Sequence, residues 1–464
     1  MRWGAAAILL FCAAVPMALV VAAQLSPQQP LPGGAPMREA GPAVIVTAAP
    51  VYDSLAALRG GERFPRGAQL MLWRDGRLTA LVQDFAASAD ASVSFDGTTV
   101  LFAGKRNAGD PWQIWQSSAE GAAPRLMLGG LKDVIRPLWM PDGRVVYARR
   151  DAGRWVLESA ALDGSHVTRL SYVPGNFIPD DVLADGRVLF ESGFPMGAGA
   201  TLEMYLVYAD GSGVESVRCD HPRGPAAGRE HGRQMPNGDI VFTHGTRLAR
   251  FTSALANEDP IPAPPGEYAG DVAQLPDGRW LLSVRRPGEK HFALMAWKPG
   301  TAVITALARD PSRDFVEPAL VASRAVPHRH PSALHPWATG NLLALDARQS
   351  REGALRAVPS TVRVETLDNA GHVLPLGAAP VEKDGSFFVQ APGNRPLRFI
   401  LLDAAGHSLR QEQGWFWVRS GEQRICVGCH TGPERAPENR VPAVLLRSTT
   451  PVDVTGALAA GGGH

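Results

Sequence analysis

Cysteine is scarce in this sequence, which has only Cys12, Cys219, Cys426 and Cys429 among its 464 residues. Cys12 lies inside an apolar N-terminal run, so three cysteines remain if that run is removed as an export signal. An odd number of cysteines argues against a plain disulfide framework in an exported protein.

The sequence also lacks an excess of charge of either sign, since 46 lysines and arginines balance 45 aspartates and glutamates. Because no basic stripe is present, no nucleic-acid partner is predicted. The length favours two or three domains over a single core.

Long apolar runs are absent after the N-terminus. The first run contains Pro16 and ends in small residues, which predicts a signal peptide over residues 1–23. A retained membrane anchor is the alternative, because the run approaches the length that spans a bilayer. We expect a flexible linker over 24–41 and a mature protein that is periplasmic or otherwise exported and not integral to the membrane.

Turn dipeptides recur along the chain with a regular period. Asp-Gly or Asn-Gly pairs stand at 96–97, 142–143, 185–186, 237–238 and 277–278. They are 40 to 52 residues apart, and a short run of β-forming residues follows each one. Both dipeptides tolerate the positive φ that tight hairpin turns require, so each pair predicts a hairpin.

A second series of turns lies between the members of the first. It occupies 75–76, 120–121, 163–164, 210–211 and 299–300, with a degraded member near 254–257. Two interleaved series imply about four strands per repeat, and four-stranded units repeated radially are propeller blades. The sequence therefore predicts an all-β fold with a six-bladed β-propeller over residues 42–325. An array of unrelated hairpins is the alternative.

The repeat ends in a segment rich in proline and histidine, which predicts a linker over 326–339. Short alternating strands follow and predict a small β-sandwich over 340–420. The linker carries His328, His330 and His335. A His-x-His pair on an extended strand places both rings on one face and could bind zinc or copper, whereas a solvated linker without function is the alternative.

The motif Cys-Val-Gly-Cys-His points to a cofactor, because Cys-x-x-Cys-His is the attachment motif of c-type haem. Cys426 and Cys429 would bind the porphyrin, and His430 would be the axial ligand of the iron. A structural zinc site needs four ligands, and a redox dithiol needs an α/β pattern that this chain lacks. A disulfide across two residues is sterically poor. Residues 421–464 are therefore predicted to be a haem-attachment segment and flexible tail.

The distal ligand of the iron, on the face opposite His430, is not a methionine downstream of the motif, since the last methionine is Met295. The 34 residues after His430 are rich in proline and glycine and do not suit a helical wrapper. The sixth position is either open, which permits chemistry at the iron, or filled, which favours electron transfer. The candidate ligands are His221, His231, His328, His330, His335 and His464.

An aromatic group, Trp415, Phe416 and Trp417, comes shortly before the motif. In one interpretation these side chains form a wall of the haem pocket. In the other they pack the core of the sandwich, and the sequence favours neither.

The Pro-Asp-Gly turns resemble the repeat of the periplasmic Tol-system propellers. The order of the segments resembles the hydrazine synthase alpha subunit family over roughly residues 42–440. The blades come first, and the linker, "DGSFFVQAPGNRPLRFILLDAAGHSL" and "GWFWVRSGEQRICVGCH" follow in that order. The resemblance implies a c-type haem on Cys426 and Cys429, lodged between a propeller and a β-sandwich. The resemblance also makes a metal site at Cys219 and His221 an alternative, although a buried free thiol at Cys219 is the favoured interpretation.

Two features depart from that family. The chain ends before the further domain that carries a second haem in the family. The family's catalytic haem uses a tyrosine shortly after the motif, whereas the last tyrosine here is Tyr268. His430 is therefore the expected iron ligand, and hydrazine formation is not expected.

Together these observations predict an exported mono-haem c-type cytochrome that carries out electron transfer or redox chemistry at the haem. A redox partner protein is expected, and a small-molecule ligand is compatible with an open iron. The alternative is a non-catalytic scaffold in which the propeller binds a partner and the haem is a relay or a structural element.

Overall fold

The computed structural model describes residues 41–194, 201–217, 228–253, 256–349, 354–368, 370–412, 414–428 and 439–456. The described part consists mainly of β-strands in eight four-stranded sheets, which confirms the predicted all-β class. Its helical elements are one short α-helix, α1 (Ala443–Arg447), and two 3-10 turns at Ala57–Arg59 and Leu128–Gly130. None of the described helices has the length and apolar character needed to cross a membrane.

Six of the sheets follow one another along the chain up to residue 321. Sheet 1 contains β1 (Ala43–Ala49), β2 (Gln69–Arg74), β3 (Arg77–Ala80) and β24 (Asp314–Val321). Sheet 2 contains β4 (Ala87–Val93), β5 (Thr99–Lys105), β6 (Gln113–Ser118) and β7 (Arg125–Leu126). Sheet 3 contains β8 (Val134–Trp139), β9 (Val145–Asp151), β10 (Arg154–Ala160) and β11 (Thr168–Arg169).

The next three sheets repeat this antiparallel pattern. Sheet 4 contains β12 (Phe177–Val182), β13 (Val188–Phe194), β14 (Thr201–Val207) and β15 (Glu215–Ser216). Sheet 5 contains β16 (Arg229–Gln234), β17 (Ile240–His244), β18 (Arg247–Phe251) and β19 (Asp259–Pro260). Sheet 6 contains β20 (Glu267–Gln274), β21 (Trp280–Arg285), β22 (Ala293–Trp297) and β23 (Ile304–Ala308).

The predicted turns lie between hydrogen-bonded strands. The first series joins the first two strands of each of sheets 2 to 6, as at Asp142-Gly143 between β8 and β9. Gly143 has a φ of 81°, and the Asp142 carboxylate accepts the amide N–H of Arg144 at 3.1 Å. Of the second series, the degraded member near 254–257 falls partly outside the described residues. Its other members join the outer pairs of strands in the remaining sheets, as at Asp210-Gly211 between β14 and β15.

The six sheets pack in a ring. Buried apolar clusters lie between sheets 1 and 2, 2 and 3, 3 and 4, 4 and 5, 5 and 6, and also between sheets 6 and 1. The chain closes this ring because β24 pairs antiparallel with β1, so Ala43 faces Val321. The fold of this part is therefore propeller-like, with its sheet edges covered or short.

The last two sheets stack on a separate apolar core. Sheet 7 contains β25 (Thr339–Asp346), β28 (Phe387–Pro392), β31 (Gln423–Gly428) and β32 (Val452–Asp453), in the order β31-β25-β28-β32. Sheet 8 contains β26 (Thr361–Leu367), β27 (Val373–Pro380), β29 (Arg398–Leu402) and β30 (Ser408–Gln411), in the order β27-β26-β29-β30. Strands β31 and β32 pair parallel with β25 and β28, so elements of the predicted tail contribute to this sheet.

The segment around α1 is held on sheet 7 by the turn that precedes β28. The Asp384 carboxylate accepts the amide N–H of Ala443 at 2.8 Å and pairs with Arg440, and the Ser386 hydroxyl accepts the amide N–H of Val444 at 3.0 Å. Partial burial opposes ionisation of Asp384. Hydrogen bonds from Ser386 and from the amide of Ala443 outweigh it and hold the pKa of Asp384 well below its usual range.

Replacing Asp384 by Asn is expected to lower the free energy of unfolding by about 1–2 kcal/mol at pH 7, because charged hydrogen bonds are lost. The folded-state pKa is depressed, so this stabilisation is present above the unfolded pKa of about 3.9 and disappears as the pH falls below it. Urea unfolding at pH 7 and pH 3 measures the difference.

The matched control is Asp403→Asn, since Asp403 accepts amide N–H groups only within its own exposed turn. Limited proteolysis at neutral pH should release residues 439–456 from Asp384→Asn and not from the control. Equal protection of this segment in both variants would show that Asp384 does not hold it.

Candidate functional site

The pairing of each inner strand of the ring with its neighbour is interrupted at one point by a shift in register. The inner strands are β4, β8, β12, β16, β20 and β24, and each contacts the next in a closed cycle. Their registers shift at these points, where the irregularity presents a buried ionisable side chain to the centre. The residues are Asp90, Arg136, Asp180, His231, Asp271 and Glu317.

Left-handed backbone accompanies most of these bulges. His231 and Glu317 have φ values of 56° and 57°, and Asp90 and Arg136 have values of 61° and 53°. Residues other than glycine rarely adopt this conformation, and it costs about 1 kcal/mol or more at each position. The contacts at the centre must therefore offset that cost.

We name the buried charged group at the centre of the ring the central cluster. It comprises the six residues above with Glu191, Glu230 and Arg233 from β13 and β16, and Tyr52 and Arg63 from the loop between β1 and β2. That loop brings a guanidinium group into the centre, since Arg63 pairs with both Asp90 and Glu317.

Arg136 connects three strands of the central cluster. Its guanidinium group donates to both carboxylate oxygens of Asp271, at 2.9 and 3.1 Å, and to the carbonyl oxygen of Pro179 at 3.2 Å. It also lies 3.4 Å from Asp180 and 3.8 Å from Glu317. Its side chain is 2% exposed, so these contacts are removed from water.

His231 lies among oxygen atoms of the same cluster. Its Nε2 is 3.2 Å from the hydroxyl of Tyr52 and 3.6 Å from Glu230, and its Nδ1 is 3.4 Å from Asp271. Burial lowers the pKa of His231 to about 4, which keeps the imidazole neutral at physiological pH. This histidine, predicted from the sequence as a possible haem ligand, is thus part of the central cluster.

The carboxyl groups of the central cluster differ in their pKa values. Burial, with the nearby Glu230, raises the pKa of Glu191 to about 8. Burial likewise raises the pKa of Glu317 to about 7, against the opposing effect of Arg63. Asp271 is also penalised by burial, yet Arg136 and Arg233 outweigh that effect and hold its pKa well below its usual range.

Sequence reasoning did not find this cluster, although a signal is present. The inner-strand residues Asp90, Arg136, Asp180, His231 and Asp271 stand five or six positions before the turns of the first series. An ionisable residue at a nearly fixed distance before each of these turns, repeated with the period of the blades, marks the centre of the ring. The signal was overlooked because the chemical identity of the residue changes from acid to base to imidazole.

The predicted haem motif begins on an edge strand of sheet 7. Cys426 lies on β31 opposite Ala344 of β25 and is a half-buried free cysteine. Burial raises the pKa of its thiol, and Glu412, Glu422 and Glu215 act in the same direction against Arg424. Glu215 belongs to β15 of sheet 4, so the electrostatic environment of Cys426 includes the propeller-like part. Cys429 and His430 lie outside the described residues.

The beginning of β31 is tied to sheet 4. The buried carboxylate of Glu422 accepts the amide N–H of Gly213 at 3.0 Å and that of Arg419 at 2.7 Å. The guanidinium group of Arg424 donates to the same carboxylate at 2.9 Å. The Arg419 side chain lies over the ring of Tyr172, 4.9 Å from its centre. The strand that carries Cys426 is therefore fixed against the propeller-like part.

The aromatic group before the motif is divided between two cores. Trp417 is buried in the cluster between sheets 3 and 4, and its indole N–H donates to the carbonyl oxygen of Gly211 at 2.9 Å. Phe416 packs against the core of sheets 7 and 8. Trp415 is partly buried beside the first core and carries Arg398 over its ring. The segment 415–417 therefore connects the core of sheets 3 and 4 with the core of sheets 7 and 8.

The three linker histidines occupy different places. His328 lies at a cavity of about 640 Å³ at one end of the ring, and its amide N–H bonds to the carbonyl oxygen of Ala184. The ring of His330 packs on Tyr208, with centres 4.0 Å apart. The ring of His335 stacks on Trp337 at 4.4 Å, and its amide N–H donates to Gly421, close to the start of β31. Of the three, only His335 has a backbone hydrogen bond to the segment leading into β31.

Several predicted site residues cannot be placed. Cys219, His221 and His464 lie outside the described residues, as do Cys429 and His430. The predicted signal peptide and most of the linker at 24–41 also lie outside them.

A family model for the hydrazine synthase alpha subunit middle domain matches residues 346–431. This segment of the chain is therefore similar to the hydrazine synthase alpha subunit middle domain. The matched range contains β26 to β31 and ends one residue after His430, so the whole Cys-x-x-Cys-His motif falls within the hydrazine synthase alpha middle domain.

One solved structure shares the fold over most of the chain. Hydrazine synthase from Kuenenia stuttgartiensis aligns with a TM-score of 0.74 at 17% identity, covering 90% of this chain and 75% of that chain. TolB from Acinetobacter baumannii aligns with a TM-score of 0.45 at 13% identity, covering 60% and 67% of the two chains. Sequence comparison with curated proteins gives no match. The overall fold of this chain thus has a counterpart in the first of these structures.

Proposed function

We propose that this protein is an exported mono-haem c-type cytochrome of the hydrazine synthase alpha-like group. The observation that carries the proposal is a complete Cys-x-x-Cys-His motif that falls inside the matched middle domain and begins on an ordered strand. Cys426 and Cys429 are the covalent anchors, and His430 is the axial ligand. Hydrazine synthesis is not part of the proposal, because no tyrosine follows the motif.

The surroundings of Cys426 suit a porphyrin. The cysteine is half-buried on an edge strand, and the adjacent Ile425 is 65% exposed. Apolar surface of this kind beside a free thiol fits a bulky apolar group that is to be covered. When bound, a haem supplies a one-electron iron couple. Glu422 and Arg424 fix the strand, so the anchoring thiol is held in place before the cofactor is attached.

The attachment is tested with the double variant Cys426→Ser/Cys429→Ser, expressed with its own N-terminus in a host that matures c-type cytochromes. The wild-type protein is expected to retain haem through denaturing electrophoresis, and the double variant to lose it entirely, because serine cannot form the thioether bonds. Cys219→Ser is the matched control and should stain as strongly as the wild type. A haem-stained band from the double variant would refute the assignment.

We infer that sheets 1 to 6 are the six blades of one closed propeller over about residues 42–325, followed by the linker at 326–339. The pairing of β24 with β1 and the six inter-sheet clusters support this count. Sheets 7 and 8 would then be the predicted β-sandwich. The strand β31 extends it beyond residue 420 into the haem-attachment segment.

The chemistry proposed for the site is electron transfer or redox chemistry at the iron with a partner protein outside the cytoplasm. His335 is the favoured distal candidate among the described histidines, because its backbone bonds to Gly421 ahead of β31. A low-spin, six-coordinate iron that becomes five-coordinate in His335→Ala supports a relay with this ligand. A high-spin iron in the wild type that binds carbon monoxide rapidly supports chemistry at an open position instead.

A further inference from the structure

Three buried side chains of the central cluster are arranged like the ligands of a metal ion. One ligand atom from each of Asp180, Glu191 and His231 lies within 4.8 Å of the other two. The three residues are 0%, 1% and 1% exposed. They come from β12 and β13 of sheet 4 and β16 of sheet 5, so these two sheets must pack together before the three meet.

Backbone hydrogen bonds orient these side chains. The amide N–H of Gly232 donates to Oδ2 of Asp180 at 3.2 Å, and that of His231 donates to Oε2 of Glu191 at 3.2 Å. Both donors lie at the bulge of β16, where His231 adopts its left-handed conformation. The bulge thus holds the imidazole and both carboxylates close together. In metal sites, hydrogen bonds to the ligand side chains orient them in the same way.

A second observation points independently to a bound cation. Among the described residues, Oε2 of Glu230 is buried and has no hydrogen-bond partner, although it lies 3.6 Å from Nε2 of His231. Glu230 is 5% exposed. A buried acceptor without a partner is costly, and a cation beside His231 would satisfy it.

The net charge of the central cluster also favours a bound cation. Its buried carboxyl groups are Asp90, Asp180, Glu191, Glu230, Asp271 and Glu317. Among the described residues, the guanidinium groups that form ion pairs with them are those of Arg63, Arg136 and Arg233. If all are ionised, the negative charges exceed the positive ones by three, and uncompensated charge in a protein interior is strongly unfavourable. One divalent cation removes most of that excess.

The geometry points to a binding site for one divalent transition-metal ion at Asp180, Glu191 and His231, separate from the haem motif. An imidazole nitrogen with two carboxylates suits Zn²⁺ or Mn²⁺. Ca²⁺ is disfavoured, because it takes six to eight oxygen ligands. Since the three ligands belong to sheets 4 and 5, the ion would stabilise the ring at its centre.

The test uses the full-length, haem-loaded protein, stripped with a chelator and equilibrated with Zn²⁺ by dialysis. Zinc and iron are then measured together by mass spectrometry. The expected result is one zinc per chain in the wild type and an affinity lower by about tenfold or more in Asp180→Asn and in His231→Gln. The control His244→Gln alters a partly exposed histidine of sheet 5 that pairs with Glu258, and should bind zinc as the wild type does.

A measurement on the wild type alone keeps the proposal testable if the buried variants do not fold. The zinc absorption edge should show only nitrogen and oxygen neighbours at about 2.0–2.2 Å, and zinc should raise the melting temperature. Failure to retain zinc would overturn the proposal and show that protons balance the central charge. A sulfur neighbour at about 2.3 Å would overturn it too, since the metal would then lie at a cysteine.

Discussion

Replacing Arg136 by Ala is expected to lower the free energy of unfolding by about 3–5 kcal/mol, because it leaves buried carboxylates without their counter-charge. Arg136 binds Asp271 through both of its terminal nitrogens and also approaches Asp180. The loss would remove a large part of the stability of a typical domain. Urea unfolding followed by circular dichroism measures it.

The matched control is Arg125→Ala in the same assay. Arg125 is exposed on β7, and among the described residues its side chain donates only to the side chain of Gln116. Its removal should change the free energy of unfolding by no more than about 0.5 kcal/mol. If Arg136→Ala unfolded at the same urea concentration as Arg125→Ala, the central cluster would not be the electrostatic centre of the ring.

Trp417→Ala is expected to lower the free energy of unfolding by about 3–5 kcal/mol. The reason is that Trp417, from the segment between β30 and β31, is a large side chain buried in the core of sheets 3 and 4. Trp417 is 1% exposed and meets Phe177 edge-on, with ring centres 6.5 Å apart. Its loss also removes the hydrogen bond to Gly211. Calorimetry should therefore show sheets 7 and 8 melting separately from, and before, the ring.

The control for this experiment is Trp337→Ala, since Trp337 is 45% exposed and stacks only on His335 among the described residues. We expect that variant to unfold within about 1 kcal/mol of the wild type. An unchanged, single calorimetric transition for Trp417→Ala would show that the two parts of the molecule are not coupled through this side chain.

The local features of the fold could be predicted from the sequence. Asp142-Gly143 and its counterparts fix tight turns through the φ of glycine and the aspartate carboxylate, and these effects act within four residues. Their period then implies four-stranded units. The family resemblance could be recognised in the segment from Asp384 to His430, because its motif is short, contiguous and chemically specific.

The long-range features could not be predicted in the same way. The parallel pairing of Cys426 with Ala344 joins residues more than 80 positions apart, and no local pattern selects it. Trp417 and Phe416 are neighbours in sequence but enter different cores. Asp180, Glu191 and His231 meet only because sheets 4 and 5 pack together, with bulges in β12 and β16.

Intact-mass spectrometry of the mature, exported protein under denaturing conditions tests the central claim most directly. The account predicts a polypeptide heavier by the mass of one haem, with peptide mapping that places the addition on both Cys426 and Cys429. A mature polypeptide with unmodified thiols at these two positions would contradict it.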